Sequence, residues 1–100
     1  MEGRLHVMLI KRGKTYNRMT MAVVERHIEH IRKLDDAGLI ELCGPTKGFP
    51  GVAGMVILKS LSYEEAEAVC KAEPLVSEGY ATYTLCALQV ANRENNYLLE

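Results

Sequence analysis

The stretch "RHIEHIRKLDDAGLIELCGP", from Arg26 to Pro45, decides the fold because a helix pattern passes directly into a strand pattern there. Its apolar residues recur at helical spacing, and Gly38 stands in the C-cap position where such helices commonly end. The following "LIELCGP" has the length and apolar content of a short strand, which Gly44 and Pro45 close. The stretch therefore predicts a helix joined to a sheet strand by a very short connection.

Three other segments, rich in β-branched and large apolar residues, are predicted to be strands. They are Leu5–Lys11, "GVAGMVILKS" from Gly51 and "YATYTLCALQV" from Tyr80. The Gly/Pro-rich "TKGFPG" is a short loop that makes a hairpin of the second and third strands.

Helix signals occupy the two intervals between the strands. The first helix is predicted from Asn17 or Thr20 to Ala37, and the capping box "SYEE" starts a second helix that runs to about Lys71. In "EPLVSEG", a proline in the first-turn position opens a brief helical piece that Gly79 ends. The order β-α-β-β-α-β predicts the α+β class and a ferredoxin-like plait, with an antiparallel four-stranded sheet and both helices on one face.

The strands are apolar on both faces, although only two helices are available to cover the sheet. In the first strand Leu5, Val7 and Leu9 share one face, and Met8 and Ile10 lie with a histidine on the other. An apolar sheet face left open exceeds what a soluble monomer normally exposes. The patterning therefore predicts a homodimer or higher homo-oligomer in which a second copy packs sheet against sheet.

Length and charge exclude several classes of protein. The chain has 100 residues, enough for one domain, which we place at residues 1–92. Residues 93–100 are predicted to form a tail that is first polar and then apolar. This tail is either mobile or laid on a partner chain. Lys and Arg number 12 against 13 Asp and Glu, and no basic stripe is visible, so no nucleic-acid partner is expected. No segment has the apolar length of a membrane span, and the apolar run of "MEGRLHVMLIKRG" is too short for a signal peptide.

The three cysteines predict a reducing compartment. Cys43, Cys70 and Cys86 are an odd number without CxxC spacing, which favours free thiols in the cytoplasm over a disulfide framework. Each lies among apolar neighbours, so burial as small apolar side chains is expected.

His27 is the unusual residue of the first helix. The apolar stripe of that helix is predicted to be Val24, Ile28, Ile31 and Leu34. On a helical wheel His27 lies about 40° from Ile31 and points towards the sheet, whereas His30 lies about 100° away, at an edge that reaches water.

Two interpretations of His27 are open: a core imidazole satisfied by a backbone carbonyl, or a general acid or base. A metal site is not predicted, because His-x-x-His lacks the (i, i+4) spacing of helical zinc ligands and no third ligand lies at a supporting spacing.

Four segments in order, "HIEHIRKLDDAGLIELCGP", "KGFPGVAGMVIL", "SYEEAEAVCKAEP" and "GYATYTL", resemble the YCII-related family. The resemblance runs from the first strand to about Val90, and it is most specific at His27, at Gly44-Pro45 and at the acidic residue before Pro74. It implies a ferredoxin-like plait assembled into a dimeric α+β barrel similar to muconolactone isomerase, with a His–Asp pair as the proposed active site. Most members have no assigned reaction, and at least one type acts as a dehydrochlorinase on a chlorinated hydroxyquinol.

Carried over, the resemblance makes His27 the catalytic histidine and Glu73 its acidic partner. Glu73 departs from the usual Asp, which is a shorter arm and a better helix cap, and the other interpretation of Glu73 is a surface acid favoured by the helix dipole. In the catalytic interpretation Glu73 holds one ring nitrogen, fixes the tautomer and stabilises the imidazolium.

The function implied is cofactor-free acid–base chemistry of isomerase, lyase or dehydrochlorinase type on a small organic molecule. The alternative is a non-catalytic small-ligand-binding or sensor module on the same dimeric fold. A cofactor-free monooxygenase or haem-handling protein is disfavoured because Trp is absent. Lys47, Tyr80 and Tyr83, with His30, are predicted to contact the substrate; a surface lysine and packed tyrosines are the alternative.

Overall fold

The predicted order of strands and helices is confirmed in the computed structural model, which describes residues 4–100; residues 1–3 of the predicted 1–92 domain lie outside the described part. The brief helical piece predicted in "EPLVSEG" is a short helix, α3, between the second helix and the last strand. The elements are β1 (Arg4–Arg12), α1 (Met21–Asp36), β2 (Ile40–Pro45), β3 (Val52–Leu58), α2 (Tyr63–Ala72), α3 (Pro74–Ser77) and β4 (Ala81–Gln89), with 3-10 turns at Tyr16–Arg18 and Arg93–Leu98. The last of these turns lies in the predicted tail.

The sheet has the strand order β2-β3-β1-β4, and every neighbouring pair is antiparallel. β1 is central, with His6 opposite Leu58 of β3 on one side and opposite Ala87 of β4 on the other. β2 and β4 therefore lie at opposite edges of the sheet. This is the ferredoxin-like α+β arrangement.

Local signals set the ends of the helices. The Thr20 side chain accepts a hydrogen bond from the backbone N–H of Val23 at the start of α1, and Gly38 follows its last turn with φ +75°, which a side chain would strain. At α2, Ser62 and Glu65 make both bonds of the predicted capping box.

The core lies between the helices and one face of the sheet. His6, Met8 and Ile10, which the alternation in β1 puts on one face, are buried there. The other face of β1 is only half-buried. We call this other side the open sheet face, and its residues include Leu5, Val7, Leu9, Leu42, Ile57, Cys86 and Leu88.

The stripe of α1 is rotated from the predicted one. Val23 is its buried residue, and Ile28, predicted to be apolar core, is 47% exposed. Ile28 borders an open space between α1 and the sheet, whereas Ile31 and Leu34 pack against the core as predicted.

The prediction of three buried cysteines is wrong for two of them. Cys70 is buried, and burial raises the pKa of its thiol to about 11. Cys43 and Cys86 are exposed, because the first lies on an edge strand and the second on the open sheet face. None of the three forms a disulfide.

No helix within residues 4–100 is long and apolar enough to cross a membrane.

Candidate active site

A cavity of about 250 Å³ opens between α1 and the β2–β3 half of the sheet. The other helices do not fill this space, because α2 and α3 contact β1 and β4 in the other half of the sheet. Its walls are mainly aliphatic, and Tyr16, His27 and Cys43 contribute the polar side chains and the thiol. A small cavity with few polar groups is the usual form of a small-ligand site.

His27 connects this cavity to a buried carboxylate. Its side chain is 26% exposed, its ring lines the cavity, and Nδ1 bonds to Oε1 of Glu73. Because the carboxylate accepts from Nδ1, the hydrogen-bond pattern assigns the proton of the neutral ring to that nitrogen. Nε2 makes no hydrogen bond within residues 4–100 and is left as the acceptor for a ligand proton. The ring is thus not satisfied by a backbone carbonyl.

Glu73 is buried, with 1% exposure, so its interpretation as a surface acid is wrong. It is the N-cap residue of α3: Oε2 accepts a hydrogen bond of 2.6 Å from the backbone N–H of Leu75, and Pro74 begins the helix. The longer side chain caps its own helix and still reaches His27. A glutamate at this position is therefore compatible with both contacts.

A second ion pair ties the other end of α3 to α1. Arg26 donates from Nε to Oε2 of Glu78 at 2.9 Å and from Nη2 to Oε1 at 2.6 Å. Glu78 is the C-cap residue of α3, and its hydrogen bond with Arg26 lowers the pKa of its carboxyl below the ordinary value. Consecutive residues of α1, Arg26 and His27, therefore hold the two ends of α3, and this fixes where Glu73 lies.

His30 lies beside this pair without lining the cavity. Its Nε2 is buried and makes no hydrogen bond in the part of the chain that the structure describes, so the prediction that this ring reaches water is wrong for that atom. Burial lowers the pKa of the ring below its usual value, against a smaller opposing effect of the negative charge on Glu73.

The other predicted binding residues are not brought to the cavity. Tyr83 is on β4, at the sheet edge opposite β2, with its hydroxyl 3.5 Å from Oε2 of Glu67; burial raises the pKa of the phenol. Tyr80 precedes β4 and packs against the core, and Lys47 is exposed in the β2–β3 loop. Tyr83 lies at the far edge of the sheet from the cavity, and none of Tyr80, Tyr83 and Lys47 lines it.

Tyr16 and Cys43 line the cavity, and sequence reasoning did not identify them as site residues. The alternation of side chains along β2 could have identified Cys43, because Cys43 and Pro45 lie on the same, helix-facing side of that strand. Tyr16 lies in a short 3-10 turn between β1 and α1, where no periodic pattern indicates direction.

Within the described residues there is no group of three or more His, Cys, Asp or Glu side chains placed to hold a metal ion.

Comparison with known proteins shows a likeness in fold at low sequence identity. No family model matches the chain, and no curated protein matches it either. Among solved structures it is similar to 5-chloro-2-hydroxyhydroquinone dehydrochlorinase (TftG) from Burkholderia phenoliruptrix AC1100, determined in complex with 2,5-dihydroxybenzoquinone. The TM-score is 0.61 at 15% identity, over 92% of this chain and 99% of that one.

Proposed function

We propose that this chain catalyses proton transfer on a small organic molecule, with His27 as the general base or acid and Glu73 as its partner. The observation that carries the proposal is a buried carboxylate bonded to one nitrogen of an imidazole whose ring lines an apolar cavity. This combination is what a catalytic histidine requires: one nitrogen oriented and the other available.

The proposed step begins at Nε2. Nε2 takes a proton from the ligand, and the positive charge that develops on the ring lies against Glu73. Glu73 cannot turn away, because Oε2 is held by the N–H of Leu75. General acid–base help of this kind contributes a factor of ~10²–10⁴ in rate. In an isomerisation the same imidazolium returns the proton at another atom of the ligand. In an elimination such as dehydrochlorination, the C–Cl bond of an activated ring breaks and chloride leaves with the bonding electrons, so that removal of the proton completes the loss of HCl.

The size of the cavity supports a small ring as the ligand. A volume of about 250 Å³ is just below the ~300–1,000 Å³ that is typical of pockets for drug-sized molecules. The fold-level neighbour binds 2,5-dihydroxybenzoquinone, a single six-membered ring with four oxygen atoms. We extend this ligand class to the present chain, and with it membership of the YCII-related family.

The open sheet face supports a homodimer of dimeric-barrel type as part of the same proposal. Leu42 and Leu88 are among the large hydrophobic side chains that the isolated chain exposes, and both lie on this face. Sedimentation at micromolar concentration is expected to give about twice the 11.2 kDa chain mass. Leu42→Lys is expected to shift the mass towards that of one chain, and a well-folded wild-type monomer would remove this part of the proposal.

Turnover of 5-chloro-2-hydroxyhydroquinone, followed as chloride release, tests the catalytic proposal. The wild-type protein is expected to release chloride from this compound, and the rate of release is expected to fall about 10²-fold or more in His27→Gln. Glu64→Gln, at an exposed position on α2 away from the cavity, is the matched control for loss of a polar side chain. Chloride release that survives His27→Gln would refute the assignment. Binding of the ring without any turnover would instead identify a non-catalytic ligand-binding module.

A further inference from the structure

The cavity wall includes a tyrosine that the His27–Glu73 pair does not use, Tyr16. Tyr16 is half-buried, packs against the core and lines the cavity. The hydroxyl groups of two other tyrosines have partners, Tyr63 with the carbonyl of Leu85 at 3.4 Å and Tyr83 with Glu67 at 3.5 Å. The hydroxyl of Tyr16 makes no hydrogen bond to any residue within 4–100. A phenol on a cavity wall with a vacant donor and acceptor is suited to bind a ligand.

The backbone holds Tyr16 in place. Its N–H donates to the carbonyl of Gly13 at 3.2 Å, and its carbonyl accepts from the N–H of Met19 at 3.3 Å. Gly13 is tied to the start of β4 through a 2.9 Å bond from its N–H to the carbonyl of Tyr80, an approach so close that a Cβ at Gly13 would lie 2.8 Å from that oxygen. The turn that carries the phenol is therefore anchored to the sheet.

A cation restrains the ring itself. The guanidinium carbon of Arg12, the last residue of β1, lies 5.7 Å from the centroid of the Tyr16 ring, within cation–π range. The phenol is thus oriented from two directions, by its turn and by Arg12. Such restraint reduces the side-chain entropy that a binding contact has to overcome.

We propose that the hydroxyl of Tyr16 binds an oxygen atom of the ligand while His27 exchanges the proton. This inference rests on the proposed function and narrows its ligand class to rings with at least two oxygen substituents, one for each contact. Tyr16 and His27 are polar side chains on walls that are otherwise mainly aliphatic, so together they set the orientation of a flat ring. A site built to bond an oxygen also rejects analogues that lack it.

Titration with 2,5-dihydroxybenzoquinone, followed by its visible absorption, is the test. Tyr16→Phe removes only the oxygen and keeps the ring that Arg12 and the core contact. We expect its Kd to rise about tenfold, the factor that corresponds to ~1.4 kcal/mol. Thermal melting is expected to be unchanged. The matched control is Tyr97→Phe in the exposed tail, which should bind as the wild type does.

Three outcomes separate this inference from the function on which it rests. The inference is supported if Tyr16→Phe binds the quinone more weakly, Tyr97→Phe binds it like the wild type, and both variants melt like the wild type. Equal binding by wild type and Tyr16→Phe, with weak binding by His27→Gln, overturns the role of Tyr16 and leaves the proposed function standing. No binding of the quinone by the wild type overturns both. Phenol, which has a single oxygen substituent and so can make only one of the two contacts, should bind more weakly than the quinone to the wild type, and the difference should be smaller for Tyr16→Phe.

Discussion

Glu73→Gln is expected to abolish the proposed catalysis while leaving the fold intact, because it reverses the tautomer of His27. Glutamine has the length of glutamate, and its oxygen can still accept from the N–H of Leu75. Its other terminal atom then becomes an NH₂ donor placed against Nδ1–H. Two donors cannot bond, so the ring proton moves to Nε2, and the atom that should accept the ligand proton is already protonated.

The magnitudes follow from these contacts. Loss of general base function costs about 10²–10⁴ in rate. The two bonds of the carboxylate become neutral ones, and hydrogen bonds to charged groups are worth ~1.5–3 kcal/mol against ~0.5–1.5 for neutral ones. Because the amide also avoids the cost of burying a charge, we expect a loss of only about 1–2 kcal/mol in unfolding free energy. Each kcal/mol lowers Tm by about 4–8 °C in a domain of this size.

Three measurements on two variants check the reasoning. They are chloride release, thermal melting and the ¹⁵N NMR shifts of the His27 ring, which distinguish the tautomers. Glu73→Asp is the control, because Asp keeps the carboxylate and is a good helix cap. Asp is also the residue usual at this position in the YCII-related family that the sequence resembles. This variant is expected to keep the ring proton on Nδ1 and to retain most of the activity. Wild-type turnover by Glu73→Gln with Nε2 protonated would show that the histidine does not act as a base. If Glu73→Asp loses as much activity as Glu73→Gln, the length of the side chain at position 73, and not its charge, determines the activity.

Two further perturbations test the surroundings of the site. Glu78→Gln removes a carboxyl whose pKa is lowered by Arg26; such a group stabilises the fold above its ordinary pKa of 4.5, and the contribution is lost as pH falls through the lowered value. The stability difference from wild type should therefore be present at pH 7 and vanish in acid, as urea denaturation at both pH values will show; a difference independent of pH would contradict it. His6→Leu should raise the unfolding free energy by about 1 kcal/mol, since His6 is 2% exposed and neither ring nitrogen has a hydrogen-bond partner in the described residues. A fall in denaturation midpoint would mean that the ring has a polar partner, such as a buried water.

Much of the fold could be predicted from the sequence, because its signals are local. The cap at Thr20, the glycine at Gly38 and the capping box Ser62–Glu65 each act over three or four residues, and all three stand where the structure begins or ends a helix. Alternation along β1 likewise separated the buried side from the open sheet face. The direction of His27 towards the interior followed from helical periodicity alone.

The site was decided by tertiary structure. His27 and Glu73 are 46 residues apart, and their contact depends on α3 being held against α1 at both ends. Read locally, Glu73 is a charged residue at a helix start, which is normally exposed; only the packing of α3 under α1 buries it. Tyr16 could not be predicted as a site residue for a related reason. The direction of a side chain in a 3-10 turn depends on the contacts that anchor the turn, and no local sequence pattern indicates them. Local patterns specify where elements begin and end, but a cavity forms where distant elements leave space between them.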